Sequence, residues 1–152
     1  MLSPFIWTFL GAAALLAVLS IRRIPVGQVY TLRRLGGRTR VLPSGMHVVV
    51  PLIERVAHKI SLTGSSLAFE DAAGDGRRIS GAVYFQVLDP QRADAVIEQV
   101  DDLLRARTSE LLHQPALPDD LAERRTWLKQ TLNSELRERG LLVTRIDLAE
   151  AA

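Results

Sequence analysis

The chain has 152 residues, enough for one domain, and its 19 Lys and Arg against 17 Asp and Glu give a net charge of +2. Residues 1–21 carry no charge, residues 22–59 carry eight basic and one acidic (+7), and residues 60–152 carry 11 basic and 16 acidic (−5). Cysteine is absent, which excludes disulfides, thiolate nucleophiles and iron–sulfur ligation. Aromatic residues are only 5% of the chain, which argues against a surface that recognises nucleic acid.

The first 21 residues are apolar. Residues 2–21 read LSPFIWTFLGAAALLAVLSI, in which three hydroxyl side chains are the only polar ones. A helix of about 20 residues matches the ~30 Å hydrocarbon core of a bilayer, with Trp7 near one interface and Arg22 and Arg23 at the other. We therefore predict a transmembrane anchor helix over residues 1–21. The alternative is a cleavable signal peptide, which needs a basic n-region and a shorter apolar stretch.

The two arginines that follow this segment predict its orientation. Positive charge is enriched on the cytoplasmic side of membrane spans, and the N-terminal side carries none here. The predicted localisation is therefore a single-pass membrane protein with its soluble domain in the cytoplasm.

Strand signals dominate the region after the apolar segment. Alternating or β-branched apolar residues predict strands near 29–32, 40–42, 46–51, 56–62 and 79–87. Gly36 and Gly37 suit a hairpin turn between the first two of these strands. Residues 63–76 are polar and contain glycine, and they are predicted as a loop.

At Asp89 the apolar period changes from that of a strand to that of a helix. Asp89 suits an N-cap and Pro90 the first position of a helix that reaches about residue 100. Further helices are predicted near 101–113 and 120–139, the latter from a cap at Asp120 to a stop at Gly140, with a last strand at 143–148. This order predicts an α+β fold, a mostly antiparallel sheet with packed helices.

The order of these pieces resembles the prohibitin, stomatin and flotillin superfamily, whose domain is called SPFH or band 7. The run IPVGQVYTLRRLGGRTRVLPSGMHVVVPLIERVAHKISL has an Arg-Leu-Gly turn, a Pro-x-Gly and an apolar strand ending in Pro. DGRRISGAVYFQVLDPQRA and RERGLLVTRIDLAEA resemble later parts of the same domain. The resemblance implies an SPFH/band 7-like domain over residues 22–150 and a tail at 151–152, a short form that lacks the coiled coil by which family members assemble.

No catalytic arrangement is visible in the sequence. His47, His58 and His113 lack the spacing of metal ligands, and no serine has a G-x-S-x-G setting. We therefore predict that the chain is not an enzyme and that it has no metal and no cofactor.

Arginines next to the apolar segment form the one functional cluster that the sequence indicates. Anionic lipid headgroups attract such residues by about 1 kcal/mol for each Lys or Arg near the surface. The alternative is that the arginines serve only solubility and orientation. The predicted membrane and lipid contacts are Trp7, Arg22, Arg23, Arg33, Arg34, Arg38 and Arg40.

The function expected from the resemblance is a membrane-anchored, non-enzymatic scaffold of stomatin/prohibitin type, which organises membrane patches or modulates partner membrane proteins. The implied partners are anionic lipid headgroups, membrane proteins such as a protease or transporter, and further copies or longer family members in an oligomer, but not nucleic acid. One alternative is a dedicated regulatory subunit of a membrane protease. Another is a secreted or periplasmic binding domain, if the leader is cleaved.

Overall fold

The computed structural model describes residues 4–74 and 76–150. Helices and mostly antiparallel sheets make up this part of the chain, which confirms the predicted α+β class. The chain divides into two compact units, Met1–Lys59 (unit 1) and Ile60–Ala152 (unit 2). The predicted limits of the SPFH-like domain, 22 and 150, are not tested by this division, and the predicted tail at 151–152 lies outside the described residues.

The apolar segment forms helix α1, Pro4–Ser20, and the chain then enters strand β1, Ile21–Ile24. β1 pairs antiparallel with β4, Gly45–Val48, and this pairing ends the helix after 17 residues. Such a helix is about 26 Å long, shorter than a ~30 Å hydrocarbon core. Among the described residues no helix is long and apolar enough to cross a membrane, so the predicted transmembrane helix over 1–21 is wrong. The cytoplasmic location deduced from it is not tested and stays a prediction.

Unit 1 also contains a three-stranded sheet with the order β3-β2-β5. Its strands are β2 (Gln28–Arg34), β3 (Thr39–Leu42) and β5 (Glu54–Ser61), the last of which crosses the boundary between the units. β2 and β3 form the predicted hairpin, whose turn contains Gly36 and Gly37 at φ angles of 110° and 80° that favour glycine. The core of this unit is small, with the buried apolar residues Ile24, Leu32, Leu42 and Val49.

Unit 2 has an antiparallel sheet with the order β6-β7-β8, against which helices pack. Its strands are β6 (Ser65–Ala72), β7 (Arg78–Val87) and β8 (Leu141–Glu150). Its helices are α2 (Pro90–Ala93), α3 (Val100–Leu112) and α4 (Leu121–Leu136), with 3₁₀ turns at Ile97–Gln99 and Arg137–Arg139. The larger hydrophobic core lies here, and α4 contributes Leu128, Leu132 and Leu136 to it.

The predicted helix limits are confirmed where a capping side chain sets them. The Asp89 carboxylate accepts hydrogen bonds from the amides of Gln91 and Arg92, and the Asp120 carboxylate caps α4 in the same way. Gly140 has a φ of 76° after the last turn, as expected of a helix stop. The helix predicted from 90 to about 100 is instead a short helix followed by a 3₁₀ turn. The loop predicted at 63–76 is wrong over 65–72, where the chain forms β6.

Candidate functional site

The seven predicted contact residues all lie in unit 1. Trp7 lies on α1 with 67% of its surface exposed, and every described side chain of residues 6–19 is exposed. The charge-free sequence therefore forms a helix whose described side chains the rest of unit 1 leaves exposed. Large exposed apolar surfaces of this kind mark interaction sites.

Arg22 and Arg23 lie next to each other on β1 and therefore point to opposite faces of the β1–β4 ribbon. Arg23 lies opposite Met46, and Ile21 lies opposite Val48. Paired and alternate positions share a face, so Ile21, Arg23, Met46 and Val48 form one face, and all four are exposed. Arg22 is exposed on the other face. The ribbon thus has an apolar face with one cation.

Arg34 and Arg40 both contact Glu54, whose side chain is only 3% exposed. The guanidinium of Arg34 lies 3.2 Å and that of Arg40 lies 3.8 Å from the same Oε1 atom. The two arginines share a face, because Arg40 lies opposite Leu32, two residues before Arg34. Glu54 is the only acidic residue between 22 and 59, so these two charges are partly neutralised within the unit.

Arg33 and Arg38 are exposed, and neither has a carboxylate partner among the described residues. Arg33 lies opposite Thr39 and therefore on the face away from Arg34. Arg38 lies in the hairpin turn, where its carbonyl oxygen accepts a hydrogen bond of 2.9 Å from the Arg34 amide. These two guanidinium groups remain available to an external anion.

Sequence reasoning missed three apolar side chains beside these arginines. Leu35 (75% exposed) lies in the hairpin turn, and Leu52 (76%) and Ile53 (46%) lie in the connection before β5. The Leu35 amide donates to the Ile53 carbonyl at 2.9 Å, which holds the two loops together. We call Leu35, Leu52 and Ile53 the apolar tip. The available signal was large aliphatic residues in turns rich in glycine and proline, where polar residues are usual.

An open cavity of about 340 Å³ lies beside the apolar tip. Arg33, Arg34 and Arg55 contribute to its lining together with the tip and Glu54. The apolar tip therefore lies next to the arginines of the cavity. This arrangement suits an anionic lipid, whose headgroup would contact the arginines while its acyl chains contact the apolar tip.

The described residues contain no group of three or more His, Asp or Glu side chains that could hold a metal ion. His47 and His113 instead contact nearby main-chain carbonyls, those of Pro43 at 2.9 Å and Ser109 at 2.8 Å. Both histidines have structural contacts within their own segments. The prediction that the chain is not an enzyme remains a prediction.

No protein-family model matches this chain, and no curated protein matches it. The resemblance to the SPFH superfamily therefore remains an interpretation of the residues quoted above.

Proposed function

We propose that this chain is a membrane-associated, non-enzymatic scaffold of stomatin/prohibitin type that binds an anionic bilayer through unit 1. The observation that carries the proposal is the juxtaposition of exposed apolar side chains and unneutralised arginines in that unit. The apolar tip adjoins Arg33, and Arg23 adjoins Met46 and Val48. The charge balance of +7 over residues 22–59 favours a negatively charged surface.

The bilayer is the occupant that these features favour. A helix that is apolar on every side, such as α1, is stable only where an apolar medium covers it. In this arrangement α1 and the apolar tip enter the hydrocarbon region of the bilayer from one side without crossing it, while the arginines stay at the level of the lipid headgroups. Long arginine side chains readily extend from an apolar boundary to the phosphates.

Vesicle binding by the full-length protein tests this proposal. The measurement is cosedimentation with phosphatidylcholine vesicles that contain or lack phosphatidylserine. Changing Arg33→Ala together with Arg38→Ala should lower binding to the anionic vesicles roughly 30-fold, since each lost charge removes about 1 kcal/mol. The matched control is Arg105→Ala with Arg139→Ala, two exposed arginines of unit 2.

A second pair of variants tests the apolar contribution. Leu35→Ser with Leu52→Ser should weaken binding to both kinds of vesicle, because it removes two large side chains from the apolar tip. Leu88→Ser is the control, since Leu88 is an exposed leucine of unit 2. Equal binding by all variants, with no preference for phosphatidylserine, would contradict the proposal.

The scaffold part of the proposal is tested by particle mass. The tagged protein is extracted from native membranes in mild detergent and its mass and co-purifying proteins are measured. Many copies, or a mixture with a longer relative, would support a scaffold. A monomer bound to one membrane protein would favour the dedicated regulatory subunit instead.

A further inference from the structure

A second surface, in unit 2, is a groove between α4 and β8 with a volume of about 640 Å³. We call it the α4–β8 groove. Its charged lining residues are Arg125, Lys129, Arg137 and Arg145, and no carboxylate lines it among the described residues. Unit 2 as a whole has a net charge of −5. The described lining of the groove, with four basic residues and no acidic one, therefore has the opposite charge to the unit that contains it.

The cations are arranged in a row. Arg125, Lys129 and Asn133 follow at intervals of four residues along one side of α4, about 6 Å apart, and Arg137 continues the row at the C-cap of the helix. Arg145 approaches from the strand and contacts Asp147 at 2.7 Å. That ion pair raises the pKa of Arg145 and partly neutralises its positive charge, so the other three cations carry most of the charge of the groove. Arg125, Lys129 and Arg137 have no carboxylate partner among the described residues.

The strand that forms the other wall is an edge strand, since β8 is last in the order β6-β7-β8. Side chains of α4 hold its outer edge at two points. The Asn133 amide group donates to the Val143 carbonyl at 2.9 Å and accepts from the Val143 amide at 2.8 Å. Arg125 donates to the Leu148 carbonyl at 2.8 Å. These points lie five residues apart, about 17 Å along a strand, which is the length of a short extended peptide.

The uncharged lining groups indicate what kind of anion fits. Thr126, Ser134 and Thr144 each donate their hydroxyl hydrogen to a main-chain carbonyl. Their oxygens therefore offer only acceptor lone pairs to a ligand. An acidic peptide matches both features, because its carboxylates accept from the cations and its amides donate to the hydroxyl oxygens. A phosphate chain brings acceptors only.

Other anionic macromolecules fit this lining less well. The described residues that line the groove include no aromatic side chain for a base to stack on. Among the described lining residues Ile146 alone is aliphatic, and it is buried, so an acyl chain would gain little contact. We propose that the α4–β8 groove binds an extended, acidic segment of a partner protein, about five residues long, alongside β8.

This inference rests on the proposed scaffold function for its partner, but its test contains no vesicles, so either can fail without the other. Fluorescence anisotropy measures binding of a fluorescein-labelled peptide of alternating glutamate and threonine to the full-length protein in nonionic detergent. The control peptide has glutamine in place of glutamate. We expect the glutamate peptide to bind, the glutamine peptide to bind far more weakly, and added salt to weaken the former.

The variant Lys129→Ala with Arg137→Ala should weaken binding of the glutamate peptide about fivefold to tenfold, since exposed ion pairs contribute modestly each. Arg105→Ala with Arg139→Ala is the control, and it should change the affinity less than about twofold. All four residues are exposed, and the single variant Lys129→Gln provides a milder second test.

Three results would overturn the proposal. The first is equal affinity for the two peptides, and the second is equal weakening by the control variant. The third is tighter binding of a single-stranded RNA or of phosphatidylserine vesicles that the groove variant abolishes, which would assign the groove to that ligand class instead.

Discussion

At the scale of single residues, Glu54 sets how much of the positive charge of unit 1 faces outward. Its buried carboxylate contacts Arg34 and Arg40, both of which were predicted to contact lipid. The sequence indicated seven contact residues, but it could not indicate which of the arginines are paired with Glu54 and which are not. Glu54 lies at least 14 residues along the chain from both arginines, and only the pairing of β2 with β3 and β5 brings them together.

Glu54→Gln should therefore strengthen binding to phosphatidylserine vesicles. The amide keeps the shape of the side chain but removes the negative charge, which leaves Arg34 and Arg40 for lipid phosphates. One additional net positive charge near the surface corresponds to about fivefold tighter binding. Cosedimentation measures the change, with Glu70→Gln, an exposed glutamate of unit 2, as the control. Unchanged or weaker binding by Glu54→Gln would show that these arginines do not contact lipid.

The apolar tip is a second residue-scale feature that the sequence left undetected. Leu35 precedes the two glycines of the predicted hairpin turn and Leu52 follows a proline, and neither was predicted as a contact residue. Single exposed leucines are common on protein surfaces. The sequence alone therefore cannot distinguish an exposed leucine that belongs to an interaction surface from one that does not. The hydrogen bond between Leu35 and Ile53, which brings the two loops together, is a tertiary contact.

At the scale of elements, capping residues and apolar periodicity located most helices correctly. They failed for strands that form only because a distant strand pairs with them. Asp89 and Asp120 mark helix starts because an Asp side chain caps the nearest free amides, a contact within three residues. β1 was missed because Ile21 to Ile24 leave the helix only to pair with β4, more than 20 residues later. That pairing is what shortened the predicted transmembrane helix.

β6 was missed for a related reason. It is an edge strand, and it buries Leu67 fully and Phe69 partly while its remaining side chains are polar or small. Two inward residues give too short an alternation to stand out in a polar stretch. Its pairing with β7, which itself was predicted, provides the stabilisation that the sequence pattern does not reveal.

The contact between α4 and β8 gives a prediction at this scale. Asn133→Ala removes two hydrogen bonds to Val143, and it leaves backbone groups of a half-covered strand unsatisfied. The free energy of unfolding should fall by about 1–3 kcal/mol. Urea denaturation followed by circular dichroism measures it, and hydrogen exchange at the Val143 amide should become faster. Ser134→Ala is the control, since Ser134 is exposed and bonds only within its own helix; equal stability of the two variants would contradict the role of Asn133.

At the scale of the whole molecule, the charge pattern in the sequence and the division in the structure coincide. The balance changes from +7 to −5 between Lys59 and Ile60, and the two compact units meet at the same position. The two units therefore differ in charge, whereas the sequence analysis predicted residues 22–150 as one domain. The four-cation groove of unit 2 could not be predicted, because it needs β8 to lie beside one side of α4.

We propose that unit 1 is the part of the chain that contacts an anionic bilayer. Hydrogen–deuterium exchange of the full-length protein, with and without phosphatidylserine vesicles, tests it most directly. Vesicles should slow exchange in residues 4–23, 33–38 and 46–55, and they should leave residues 125–146 unchanged. Protection confined to residues 125–146, or no protection anywhere in unit 1, would contradict it.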